Sequence, residues 1–225
     1  MKKISNIILW SYVAIYFMLA LGVLIYFRIE AGKTPEKNNY SIDDSQWQEA
    51  LKLEKFTVIK IDNHSDLTLE DADDNYLYCN SLDSIKINLI NDTLFVHTTE
   101  GEKLKITYNS ADEIIATDHA NIIIVSRNTP HFIINAYDST NIAIFNSRFD
   151  KLQLCTDGAA NVTFSSTTID TLDLLLKGNS NIAVVGKKPI ETVTGSIGKN
   201  SRISFMPKPK EMQARNKGEI IYTTF

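Results

Sequence analysis

Four asparagines recur at a spacing of 20 residues: Asn121, Asn141, Asn161 and Asn181. Their neighbours keep the same register. Ile114, Ile134, Leu154 and Leu174 form one column, and Ala116, Ala136, Thr156 and Leu176 form another two places on. Past a turn come Ile122, Ile142, Val162 and Ile182, then Ile124, Ile144, Phe164 and Val184. Apolar positions two apart are the signature of a strand with one buried face. One such unit cannot bury its inward face alone, whereas a stack of like units can. The repeat therefore predicts an all-β chain built as a single-stranded β-helix, a β-solenoid of about 20-residue coils.

The turn positions repeat as well. Asp118, Asp138, Gly158 and Gly178 share one column, the pattern of a backbone site with positive φ, where glycine is easiest and aspartate tolerated. Ser126, Asn146, Ser166 and Gly186 share the other. Val193, Gly195, Ile197, Ile203 and Phe205 fall one residue late, so an insertion is expected in the turn after Gly186. Pro207 and Pro209 are expected to end the stack, with Ile220-Ile221-Tyr222 as a closing strand or part of a cap.

Upstream, residues 56–110 read as an irregular part of the same domain, with regular coils over 111–205 and a tail or cap over 206–225. Phe56, Val58, Ile61, Leu67, Leu69, Ile85, Ile87, Leu94, Val96, Leu104 and Ile106 mark short strands separated by Asn, Asp and Gly turns. The acidic stretch Leu67–Asn75 lacks the ligand order and glycine of an EF-hand and reads as a solvated loop. Residues 29–55 form a polar spacer, in which Ser45–Lys55 carries helix formers with Trp47, Ala50 and Leu51 at helical spacing. A short helix covering the open end of the domain is expected there.

Residues 1–28 form the expected anchor. Ile4–Phe27 contains no charged side chain. As a helix it would span about 36 Å, enough for a bilayer core of about 30 Å. Trp10, Tyr12 and Tyr26 sit toward its ends, as interfacial aromatics do. The competing reading is a cleaved signal peptide, but the apolar run is long, and cutting after Ala20-Leu21-Gly22 would leave an apolar stub. Lys2 and Lys3 favour an N-terminus in the cytoplasm, while Arg28, Lys33 and Lys37, interleaved with Glu30 and Glu36, oppose it. A single-pass bacterial membrane protein with its solenoid outside the cytoplasm, periplasmic in a Gram-negative cell, is the expected placement.

Between Phe56 and Phe205 the chain resembles the bacterial head GIN domain proteins, known as candidate auto-transporter adhesins. The resemblance rests on Phe56-Thr57-Val58-Ile59-Lys60-Ile61 and on the turn Asn91-Asp92-Thr93-Leu94. It rests further on the repeated small-Asn-apolar steps Ala120-Asn121-Ile122, Thr140-Asn141-Ile142, Ala160-Asn161-Val162 and Ser180-Asn181-Ile182. It implies a β-helix outside the cytoplasm, with no catalytic residue to carry over. The chain departs from the pattern in its helical anchor, because such domains usually follow a cleaved signal or a lipid anchor. The anchor would hold the domain at the inner membrane, away from surface adhesion.

Little chemistry is visible. The formal charge of −4 and pI near 5.6 argue against nucleic-acid binding. Cys79 and Cys155 lie nearly four coils apart, about 15–20 Å at a stacking distance of about 4.8 Å, so free thiols are expected. His64, His97, His119 and His131 show no metal-ligand spacing, and no cofactor is implied. Asp118 and Asp138 should lie about 5 Å apart, the separation of a retaining glycosidase pair. Their column continues as Gly158 and Gly178, so a turn preference explains four residues where catalysis explains two. A row of amides could bind sugar hydroxyls, but stacked asparagines that cap a turn account for Asn121, Asn141, Asn161 and Asn181 as structure.

The function expected is a non-catalytic interaction or adhesin-like module of the cell envelope. The alternative is a polysaccharide-active β-helix lyase or hydrolase, which would need a cleft lined with charged side chains. The column Ile123, Ala143, Thr163, Ala183 is uncharged, and Ala143, Thr163 and Ala183 are small. They predict a flat outward face that packs against an envelope protein, a glycan or a second copy of the chain.

Overall fold

The computed structural model describes residues 47–62, 66–98 and 102–223. The predicted anchor, Ile4–Phe27, lies outside the described residues. Among the described residues no helix is long and apolar enough to cross a membrane.

The described chain is all-β. Its strands are β1 (Glu49–Lys52), β2 (Val58–Asp62), β3 (Asp66–Asp71), β4 (Tyr76–Cys79), β5 (Ile85–Ile90), β6 (Thr93–Thr98), β7 (Lys103–Tyr108), β8 (Glu113–Ala116) and β9 (Asn121–Val125). They continue as β10 (Asn128–Asp138), β11 (Asn141–Phe145), β12 (Arg148–Gly158), β13 (Asn161–Leu176), β14 (Asn181–Gly186), β15 (Thr192–Ile197) and β16 (Arg202–Met206). The last are β17 (Glu211–Met212), β18 (Arg215–Asn216) and β19 (Glu219–Tyr222).

These strands form a β-solenoid with two parallel faces. The front sheet carries β3, β7, β9, β11, the first half of β13, β14, β16 and β19. The back sheet carries β2, β6, β8, β10, β12, the second half of β13, β15, β17 and β18. Each regular coil runs from a back strand through one corner to a front strand, then through a second corner to the next back strand.

Both corners rest on left-handed backbone. Asp118 (φ 54°), Asp138 (φ 55°), Gly158 (φ 106°) and Gly178 (φ 70°) make the first, and Ser126 (φ 60°), Asn146 (φ 51°) and Ser166 (φ 53°) make the second. A small residue precedes each ladder asparagine and is fully buried under the first corner: Ala120, Thr140, Ala160 and Ser180. Between the sheets the apolar columns stack like on like. Phe132 and Phe149, from different columns of adjacent back strands, also stack, with ring centroids 5.4 Å apart.

The coils are not stacked in chain order. The β2–β3 coil pairs on one side with β6–β7 and on the other with β8–β9. The chain therefore lays down β2–β3, builds β6–β7 on its outer side, and crosses back over it to begin the regular stack. Beyond β7 the outer end is closed by antiparallel pairing: β4 on β7, β1 on β4, and β5 on β6.

The helix expected within Ser45–Lys55 is a correction. Glu49–Lys52 is β1, paired with β4 from Glu49↔Cys79 to Lys52↔Tyr76. The free edge of β4 offers unpaired amides and carbonyls, and satisfying them outweighs a weak helix propensity. Pro207 and Pro209 do not end the stack either. β17 and β18 pair with β15, and β19 pairs with β16, so one more coil is laid on.

Candidate functional site

The asparagines form a continuous hydrogen-bonded ladder along the front sheet. The amide of Asn141 donates to Asn121 Oδ1 (3.0 Å), Asn161 to Asn141 (3.1 Å) and Asn181 to Asn161 (3.3 Å). All four residues are exposed. Parallel register sets identical side chains side by side, so each amide finds its partner one coil away. Every dipole points the same way.

The ladder ends on charges. Asn121 Nδ2 donates to Asp66 Oδ1 at 3.0 Å, and Asp66 stands in register with Lys103. At the other end Asn181 stands in register with Arg202, whose Nε lies 3.3 Å from Glu219 Oε2. An anion thus faces the N–H end of the ladder and a cation its carbonyl end. The column reads Lys103, Asp66, four asparagines, Arg202, Glu219.

Beside the ladder runs the flat column. Ala143 pairs with Thr163 and Thr163 with Ala183, and the line extends to Ile123 at one end and Ser204 at the other. Ile123 is 43% exposed. The next column holds Val125, Phe145, Ser165 and Val185, of which Val125 is buried and Val185 is 41% exposed. The front face is thus an amide ridge next to small and apolar side chains, charged only at its ends.

Two buried cations occupy the crossover. Arg127 is 3% exposed. Its guanidinium meets Asp71 Oδ1 at 2.9 Å and donates to the carbonyls of Ala111 (2.8 Å) and Asn109 (3.3 Å). It also lies over the rings of Tyr108 (5.0 Å) and Phe132 (5.7 Å). The segment it holds, residues 109–112, is the link that carries the chain back over the β2–β3 coil. Lys105, 4% exposed, lies 2.8 Å from Glu70 and 5.5 Å from the Tyr78 ring centroid. Burial pushes the Tyr108 phenol well above its usual range, with the neighbouring Arg127 charge opposing that shift. The two cations are committed to carboxylates, to backbone carbonyls and to aromatic rings, which makes the cluster a structural clamp.

The acidic stretch is therefore not a solvated loop throughout. Glu70 and Asp71 each hold one of those buried cations. Asp73 and Asp74 hold the crossover through their backbone carbonyls, to Asn109 Nδ2 (2.6 Å) and Thr107 Oγ1 (2.9 Å). Sequence reasoning missed both cations, because their partners are tens of residues distant.

Of the remaining candidates, His64 lies outside the described residues. Asp118 and Asp138 occupy the left-handed corner that their glycine successors share. His97 Nδ1 lies 2.8 Å from Asp62 Oδ1, His119 sits in the corner at φ 66°, and His131 is on β10. Among the described residues no three His, Cys, Asp or Glu side chains are grouped as a metal site. Cys79 and Cys155 are free thiols on opposite sheets, and burial raises both above the ordinary thiol range. A shallow groove of about 220 Å³ lies on the back sheet against Ile133, Asn135, Gln153, Cys155, Asp173 and Leu175. That is below the roughly 300 Å³ at which small-molecule clefts begin.

No protein-family model matches the chain, and no curated protein matches it significantly. Its fold is that of solved bacterial proteins. One is a candidate lipid-binding protein of Parabacteroides distasonis, 14% identical with a TM-score of 0.59, over 78% of this chain and 96% of that one. Another is a candidate adhesin of Bacteroides fragilis, 15% identical with a TM-score of 0.58, over 78% and 95%. At these identities the likeness is one of fold.

Proposed function

We propose that this chain is a membrane-anchored, extracytoplasmic β-solenoid that serves as a non-catalytic, adhesin-like interaction module of the bacterial cell envelope. Its working surface is the front sheet. The observation that carries this reading is the column Ala143, Thr163, Ala183, Ser204, which leaves a flat strip between the amide ridge and an apolar ridge. Small side chains on exposed strands contribute little to the fold and let another surface approach closely. The named role of the Bacteroides fragilis relative, a candidate adhesin, agrees with this reading, as does the resemblance to head GIN domains.

Anchoring follows from the uncharged run Ile4–Phe27 behind Lys2 and Lys3. The left-handed corner shared by Asp118, Asp138, Gly158 and Gly178 accounts for the two aspartates without catalysis. The test is fractionation of cells carrying the full chain, with protease added to intact and to permeabilised spheroplasts. The reading requires the chain in the membrane fraction and its solenoid cleaved from outside. Recovery in the soluble cytoplasm, or protection until the inner membrane is opened, would contradict it.

A further inference from the structure

The front face is self-complementary, and we infer that its partner is a second copy of this chain, packed face to face with the two solenoids antiparallel. This deepens the reading above, on which it rests, by naming the partner of that face.

The two-fold axis would lie along the strands, between β11 and β13. Such an operation keeps each outward column facing its own counterpart and reverses the order of the coils. Asn141 then faces Asn161 of the second copy, and Asn121 faces Asn181. The column ends on Lys103 and Asp66 at one side and on Arg202 and Glu219 at the other. Reversal sets Lys103 against Glu219 and Asp66 against Arg202. Every charge in the column meets its opposite.

The register is specific. A shift of one coil sets Lys103 against Arg202, or Asp66 against Glu219. Parallel solenoids whose ladder columns face each other superpose like charges throughout. Complementary charges choose register and orientation more than they add affinity. The neighbouring columns supply the contact: Ile123, 43% exposed, falls on the small Ala183, and Ala143 falls on Thr163. Sheets pack face to face at about 10 Å when their side chains permit it. A strip this long and one strand wide buries about 1,200 Å² over both copies, the lower bound for a specific pair.

The test uses the full chain in detergent, in a Cys155→Ser background that leaves Cys79 buried on β4. Sedimentation with detergent correction should give twice the chain mass of 25.4 kDa, and Thr163→Arg, at the exposed centre of the face, should return the single mass. Ile123→Cys and Ala183→Cys chains are then mixed and treated with a bis-maleimide of about 10 Å reach, matched to the sheet spacing. Crosslinked dimer should form in the mixture and in neither variant alone. A single mass for the unaltered chain, a dimer that survives Thr163→Arg, or crosslinking of Ile123→Cys to itself would each overturn the proposal. If the chain is monomeric yet captured in envelopes through the front face, the second copy is wrong and the interaction module stands.

Discussion

Arg127 and Asp71 stand 56 positions apart in the chain and 2.9 Å apart in space. One is the residue after a corner of the regular stack, and the other closes a strand of the first-laid coil. Between them they clamp the link that steps over that coil. Removing one partner of a buried ion pair typically costs about 3–5 kcal/mol, because the other charge and its neighbours lose their compensation. Asp71 is 26% exposed and recovers some hydration, so Arg127→Ala should fall near the lower figure, about 3 kcal/mol. Urea unfolding measures it, and a loss below about 0.5 kcal/mol would show that the clamp is dispensable.

The ladder asparagines are exposed, so their bonds compete with water. Asn161→Ala removes the bonds to Asn141 and Asn181. The expected loss is about 1 kcal/mol, the net worth of one or two solvated hydrogen bonds. The same unfolding assay reads it. Retention of front-face contacts in this variant would separate the ladder's structural role from recognition.

Tyr108 is fully buried, and its phenol is held above the usual value of 10.0 chiefly by desolvation. Above that pH the unfolded chain ionises this residue while the folded one does not. The stability tied to the neutral phenol is thus fully present below pH 10.0 and is lost as pH rises beyond it. Relative to Tyr108→Phe, the unaltered chain should lose up to about 1.4 kcal/mol per pH unit above that point. Denaturant melts of both chains at pH 8, 10 and 11 read the difference. A constant gap would mean that the ring ionises freely in the fold.

Gly195 adopts φ 97°, and a Cβ there would run into the carbonyl oxygen of Leu174 on the paired strand. Strained backbone of this kind costs about 1–3 kcal/mol before any steric conflict is added. Gly195→Ala should therefore lower stability by at least about 2 kcal/mol. Thermal melting of this variant against Ser196→Ala, its neighbour on the same strand, isolates the backbone effect.

What the sequence shows of this fold depends on where its pairings fall. From Asn121 to Asn181 each residue pairs with its counterpart 20 positions away, so the columns, the corners and the ladder can be read directly. The β2–β3 coil sits between β6–β7 and β8–β9, and such out-of-order pairing has no period to detect. Asp66 escaped for the same reason, whereas Arg202 keeps the register, one residue late like Ile203 and Phe205, and breaks only the asparagine pattern. Ser45–Lys55 carries helical composition, and only the free edge of β4 makes its middle a strand. Arg127 reads as an ordinary polar corner residue until Asp71, Tyr108 and Phe132 are placed around it.

The most direct test of the account asks which face of the solenoid touches anything in its native envelope. A photo-crosslinking amino acid is placed at Thr163 on the front sheet and, separately, at Leu175 on the back sheet, both exposed positions on β13. Irradiation of intact cells should give a crosslinked adduct from position 163 and none from position 175. Adducts from position 175 alone, or from neither position, would contradict the assignment of the front sheet as the working surface.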